Sequence, residues 1–135
     1  MIMTDEMKQE LARLAGVLYE RGVLTDFGCT ESQIELMKER CVQLSPNKPI
    51  CVVKDWAIWD IEPPQSSPDF VISLIKADYI IYDELDRFPV GGWVRTTAIL
   101  SIHENSIFTT NNTNYILVGK GTRKNVKFKD MMTFF

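Results

Sequence analysis

The chain reads as an α+β fold, an N-terminal helical hairpin packed on a C-terminal antiparallel sheet. Two observations predict it. Up to residue 44 the apolar residues recur with a helical period, whereas beyond residue 50 they fall in short β-branched and aromatic runs. Gly, Pro and Asn turn signals then divide the second half into neighbouring strands. At 135 residues the chain is long enough for one domain with a true core, with a helical part at 4–44 and a mainly β part at 50–129.

The first helix is opened by Thr4 and carries Met7, Leu11, Leu14, Ala15 and Leu18 as one stripe, stopped by Gly22. Thr30-Glu31-Ser32-Gln33 is a capping box, and the helix it opens places Ile34, Met37, Cys41 and Leu44 on one face. Two amphipathic helices this close are expected to pair as a hairpin or lie together on a sheet. Ser45-Pro46-Asn47-Lys48-Pro49 ends the second helix. Ile50–Val53 and Trp56–Ile61 read as short strands, and Ser67-Pro68 as the start of a third short helix over Pro68–Lys76. Tyr79–Tyr82 is the next strand. Trp93–His103 alternates along its length, so Trp93 and Arg95 share one face and Val94 and Thr96 the other. Ile107–Thr110, Tyr115–Val118 and a last edge strand, Val126–Lys129, complete the meander.

Composition excludes several classes. Hydrophobic residues at 45% and charged residues at 24% match ordinary globular usage, not disorder or collagen-like repeats. The apolar runs are far shorter than the ~18 residues a membrane span needs. Asp5 and Glu6 follow the first methionines at once, unlike a secretory leader. The expectation is a cytoplasmic protein without a membrane partner. Cys29, Cys41 and Cys51 are odd in number and form no C-x-x-C pair, and two sit in apolar company. They read as buried, reduced thiols. One histidine and three scattered cysteines do not make a zinc site, and no cofactor motif is present.

The net charge of -3 is unevenly spread: residues 1–66 hold 7 Lys/Arg against 11 Asp/Glu, and residues 67–135 hold 8 against 7. Lys120, Arg123, Lys124, Lys127 and Lys129 form an acid-free basic strip. Such a strip can meet an acidic partner or phosphates, or can simply guard a sheet edge. Trp93 and Arg95 add an aromatic–cation pair of the kind that stacks on bases or anchors a protein contact. Trp56 and Trp59 fall on opposite faces of a short strand, so at least one is a candidate for exposure, although core filling is the preferred reading for each.

Catalytic constellations are weak. His103 stands beside Glu104 and near Ser101 and Ser106, but there is no G-x-S-x-G elbow. Asp83, Glu84 and Asp86 cluster with Arg87, yet adjacent strand carboxylates diverge, so charged turn residues are preferred to a Mg²⁺ site. Gly119-Lys120-Gly121-Thr122 lacks the earlier glycine of a P-loop, Asn114 standing in its place.

Ala77–Glu84, Arg87-Phe88, Gly92-Trp93-Val94-Arg95-Thr96-Thr97 and Phe108–Gly119 together resemble an uncharacterised family of small bacterial proteins also found in phages and prophages. The likeness spans about residues 50–125 and rests chiefly on the motif G-x-W-V-R-[ST]. It implies no activity and no catalytic residue; it implies the setting of a mobile-element accessory protein. The sequence therefore points to a non-enzymatic protein-binding protein, an inhibitor of a bacterial defence system among such roles. The candidate binding residues are Trp93, Arg95, Lys120, Arg123, Lys124 and Lys127. A toxin-neutralising immunity protein using the acidic half, or a nucleic-acid contact through residues 120–129, are the alternatives.

Overall fold

A computed structural model describes residues 2–63, 65, 66, 69 and 71–134. Three helices, α1 (Asp5–Tyr19), α2 (Ile34–Leu44) and α3 (Phe128–Phe134), accompany a sheet of eight strands. These are β1 (Val23–Leu24), β2 (Ile50–Glu62), β3 (Ile72–Asp83), β4 (Val94–Arg95), β5 (Ser101–His103), β6 (Ile107–Thr109), β7 (Asn114–Leu117) and β8 (Thr122–Lys127). The fold is α+β as the two periodicities predict, but the sheet is mixed, not antiparallel.

Strand count explains the mixture. The chain runs from β2 antiparallel to β3, then through residues 94–103, β6 and β7, each antiparallel to the one before. An odd number of alternating strands brings the last back parallel to the first, and β7 pairs parallel with Ile50–Val53 of β2. The chain then bends through Gly119–Gly121 and resumes in the same direction as β8, parallel to Ala57–Glu62 of β2.

The expected single strand Trp93–His103 is divided between two partners. Its first part, β4, pairs with β3, and Thr96 N and Ile99 N continue that edge by donating to Ile75 O and Ser73 O at 2.9 and 2.8 Å. The next residue turns the other way, Leu100 N donating to Thr109 O at 2.8 Å, and β5 follows on β6. One segment thus joins the two ends of the sheet and curls it upon itself. Inside the curl, Cys51, Val53, Trp56, Ile58, Ile75, Ala77, Ile80, Val94, Phe108, Tyr115 and Leu117 form the principal core.

The two short strands expected at 50–53 and 56–61 are one strand with a change of phase. Cys51 and Val53 point into the core, and after Asp55, at φ 52°, so do Trp56 and Ile58. The register with β3 runs on unbroken from Val53–Ile80 to Trp56–Ala77, so β3 changes phase at the same level and Ile80, Ala77 and Ile75 face the same core. The opposite face carries two smaller clusters. Met37 and Cys41 of α2 pack on Ile50, Val52, Ile107, Ile116 and Val118. Val17 and Leu18 of α1, with Met131 of α3, pack on Trp59, Ile61, Leu74 and Val126. The first two helices therefore settle on separate clusters along β2 instead of on each other, and the expected hairpin is not seen. With both faces of β2 covered, Trp56 and Trp59 are both buried.

Other boundaries also move. Residues 72–76 belong to β3, not to a third helix; the cap read at Ser67-Pro68 lies outside the described residues. Ile72 and Leu74 join one cluster and Ile75 the principal core, a period of two that the Ser-Pro signal obscured. The final strand is not an edge at its start, because β1 pairs with Arg123 and Thr122, and Phe128 onward is helical. Both helix starts match their signals: Thr4 Oγ1 accepts from Met7 N at 3.1 Å, and Gln33 Oε1 accepts from Thr30 N at 2.9 Å, leading through a 3₁₀ turn into α2.

All three cysteines are free and buried, and burial pushes the Cys41 and Cys51 thiols up to about 12. At pH 8 a native sample should react slowly with a thiol reagent and release three thiols once unfolded. Rapid native labelling of all three would contradict this packing.

Candidate binding surface

The segment between β3 and β4, residues 84–93, is pinned from both ends. At its start the buried Asp83 carboxylate accepts from Arg87 N at 2.7 Å and from the Arg87 side chain at 2.7 and 3.1 Å. Arg87 Nη1 continues to Thr113 Oγ1 at 2.8 Å, tying the segment to the β6–β7 turn. Glu84 is committed as well: its carboxylate accepts from Ile50 N at 2.8 Å and its amide donates to Ile50 O at 2.9 Å. Phe88 packs against the principal core. At the far end Gly91 N donates to Ile80 O and Ile80 N to Gly92 O, at 2.8 and 2.9 Å, with Gly91 at φ 82° against the Tyr79 ring.

Beside the exposed Glu84, Asp86 and Arg87, this bracing leaves three large apolar side chains outside. Leu85, Val90 and Trp93 are 59, 69 and 57% exposed on one ten-residue segment. Tyr79 is exposed beside them, with Lys54 Nζ 4.4 Å from its ring centre. Val94 and Thr96 are buried while Trp93 and Arg95 are not, so the alternation expected at 93–96 is present. Arg95 lies opposite Lys76 on β3, whose ammonium pairs with Asp78.

The basic strip is dispersed by its strand. Arg123 holds Asp60 with two bonds of 2.6 and 2.9 Å, and this guanidinium keeps the Asp60 carboxyl below its ordinary range. Lys124 turns to the end of α1, donating to Val17 O and, at 2.7 Å, to Glu20 O; burial draws its ammonium below the ordinary lysine range. Lys120, Lys127 and Lys129 are exposed. Lys120 borders a cleft of about 470 Å³ lined also by Tyr19, Arg21, Asp55, Lys76 and Lys124. The strip is thus an exposed arginine paired with Asp60, a lysine tied to the end of α1 and three exposed lysines, with Trp93 and Arg95 on another strand.

Of the groups read for catalysis, Ser101 Oγ lies 3.1 Å from His103 Nε2, but the Glu104 carboxylate goes to Arg40 at 3.3 Å. Among the described residues no group of three or more His, Cys, Asp or Glu side chains is placed to hold a metal. Sequence reading missed the Asp83–Arg87–Thr113 brace as a unit. Its signal was the i, i+4 spacing of acid and arginine, which is usually a helical pair and here closes a turn.

The architecture is an α+β domain with a curled mixed sheet presenting a braced apolar segment at one edge. The chain belongs to a family described as a domain of unknown function, DUF6957, whose model matches residues 26–133. No curated protein and no solved structure matches the chain.

The brace has a pH signature. Burial alone would raise the Asp83 carboxyl, but its bonds from Arg87 hold it below the ordinary 3.8. A carboxyl lowered in the folded state contributes stability that is present above its ordinary value and lost as pH falls through the folded one. Stability should therefore decline below about pH 4, with Asp60 and Asp130 adding to the same slope. Asp83→Ala should cost about 2–4 kcal/mol in urea unfolding at pH 7, because Arg87 loses its partner at a partly buried site. A cost below about 0.5 kcal/mol, the range of an ordinary surface change, would show that the brace is idle.

Proposed function

We propose that this is a non-enzymatic binding protein that engages a protein partner through residues 85–93 and Arg95. The observation that carries the reading is the cost of the display. A buried carboxylate, a core phenylalanine and two glycine backbone bonds hold Leu85, Val90 and Trp93 outward, although a shorter polar turn would join the strands. Tryptophan, tyrosine and arginine are the residues that most often dominate protein contacts, and a segment ordered before binding loses little entropy on docking.

In the setting that the G-x-W-V-R-[ST] resemblance implies, the partner is a bacterial protein. Action is by occlusion, as for an inhibitor of a defence system encoded by a phage or prophage, within the cytoplasm. The internal commitments of Arg123 and Lys124 favour this over phosphate binding, which needs cations facing outward together. Lys120 and Lys127 remain exposed surface charges, which would act on an acidic partner mainly through its on-rate.

The test is affinity capture from the native host with the wild type and two variants. Trp93→Ala should lose the captured protein with a melting temperature unchanged within about 2 °C, a surface-sized effect. Arg123→Glu with Lys124→Glu should instead lower the melting temperature. Equal capture by Trp93→Ala, or a sub-micromolar salt-sensitive complex with DNA or RNA, would overturn the reading.

A further inference from the structure

The first helix is attached to the domain as a ligand would be. None of the fifteen residues of α1 is buried, yet α1 lies over the apolar cluster of Trp59, Leu74, Val126 and Met131. The family match begins at residue 26, after α1 and β1. Three attachments hold the helix. Arg13 donates from Nη1 and Nη2 to the buried Asp130 carboxylate at 2.9 and 3.0 Å. One turn on, Val17 and Leu18 meet the apolar cluster. Lys124 then donates to the carbonyls of Val17, in the last turn, and of the capping residue Glu20. Ahead of Arg13 the same stripe is left in solvent, Met7 and Leu11 being 38 and 54% exposed.

We infer that α1 occupies a docking groove for an amphipathic helix, and that a partner helix of the same chemistry displaces it. The groove specifies its occupant. Asp130 is a buried carboxylate that demands a guanidinium or ammonium, since an unpaired charge there is costly. Trp59, Leu74 and Met131 demand two adjacent aliphatic side chains one turn further along. Lys124, on the floor, demands the carbonyl end of a helix, where a cation meets the negative end of the dipole. An arginine followed four and five residues later by aliphatic residues near a helix C-terminus satisfies all three. A helix that also extends its apolar stripe onto further surface would outcompete α1, whose first half finds none. This groove shares no residue with the Trp93 surface, so the two readings stand or fall separately.

The test uses the full chain and a fluorescent peptide of residues 2–21. In native hydrogen exchange the amides of α1 should exchange at least roughly 100-fold faster than those of β2 and β3, reporting local opening of the helix. The peptide should bind the intact chain weakly, because α1 occupies the groove. Arg13→Ala in the chain should strengthen peptide binding about tenfold by freeing the site, whereas Arg13→Ala in the peptide should weaken it. The peptide substitution needs no folded variant. Exchange of α1 only in step with the sheet, or no peptide binding to either chain, would overturn the inference.

Discussion

Strand β2 has to be satisfied along one edge by two strands that do not meet. β7 covers its first half and β8 its second, both parallel, with the Gly119–Gly121 bend between them. Trp56, one residue past the phase change at Asp55, fills that gap. Its Nε1 donates to Val118 O and Gly119 O at 3.2 and 3.3 Å, so the carbonyls released where the ladder breaks are still paired. The chain must pass very close to the ring: a Cβ on Gly121 would stand 2.3 Å from its carbons. Nearby, a Cβ on Gly28 would stand 2.0 Å from Gly119 O, which fixes the path of the segment before α2.

The rest of the structure follows from this junction. Because β7 and β8 are held in line, the curl of the sheet and the helix-covered face are built on the same strand. α2 sits where β7 pairs, and α1 with α3 sit where β8 pairs. The bracing of residues 84–93 is a consequence of the first half, since Glu84 is bonded to the first residue of β2. The α1 groove is a consequence of the second, since its floor is Trp59 and β8. The two proposed surfaces therefore rest on different ends of one strand.

Local features were legible in the sequence because local chemistry decides them. The Thr4 cap, the Thr30–Gln33 box, the Met37/Cys41 face and the opposed facing of Val94 and Arg95 all depend on residues within four positions of each other. The long-range pairings were not legible. Whether β7 lies parallel or antiparallel to β2 depends on how many strands intervene, and the division of 93–103 hid one change of partner inside a regular alternation. α3 was missed because its seven residues are too few to show a helical period and its first two were read as the end of a strand, while its buried Asp130 finds an arginine 117 residues earlier. In the candidate site the sequence indicated Trp93 and Arg95 but not the brace that presents them. It grouped five cations of which Arg123 is paired with Asp60 and Lys124, on the other face of β8, is tied to the end of α1.

The most direct measurement of this account is the urea unfolding of Gly121→Ala, followed by tryptophan fluorescence. Gly121 is not in the left-handed region of backbone conformation, so the substitution tests only the space between the bend and the Trp56 ring. If that contact joins the two halves of the sheet, the added methyl should lower the unfolding free energy by about 2–3 kcal/mol, the cost of overpacking a core that cannot yield. A change within about 0.5 kcal/mol, as expected at an open surface position, would contradict it.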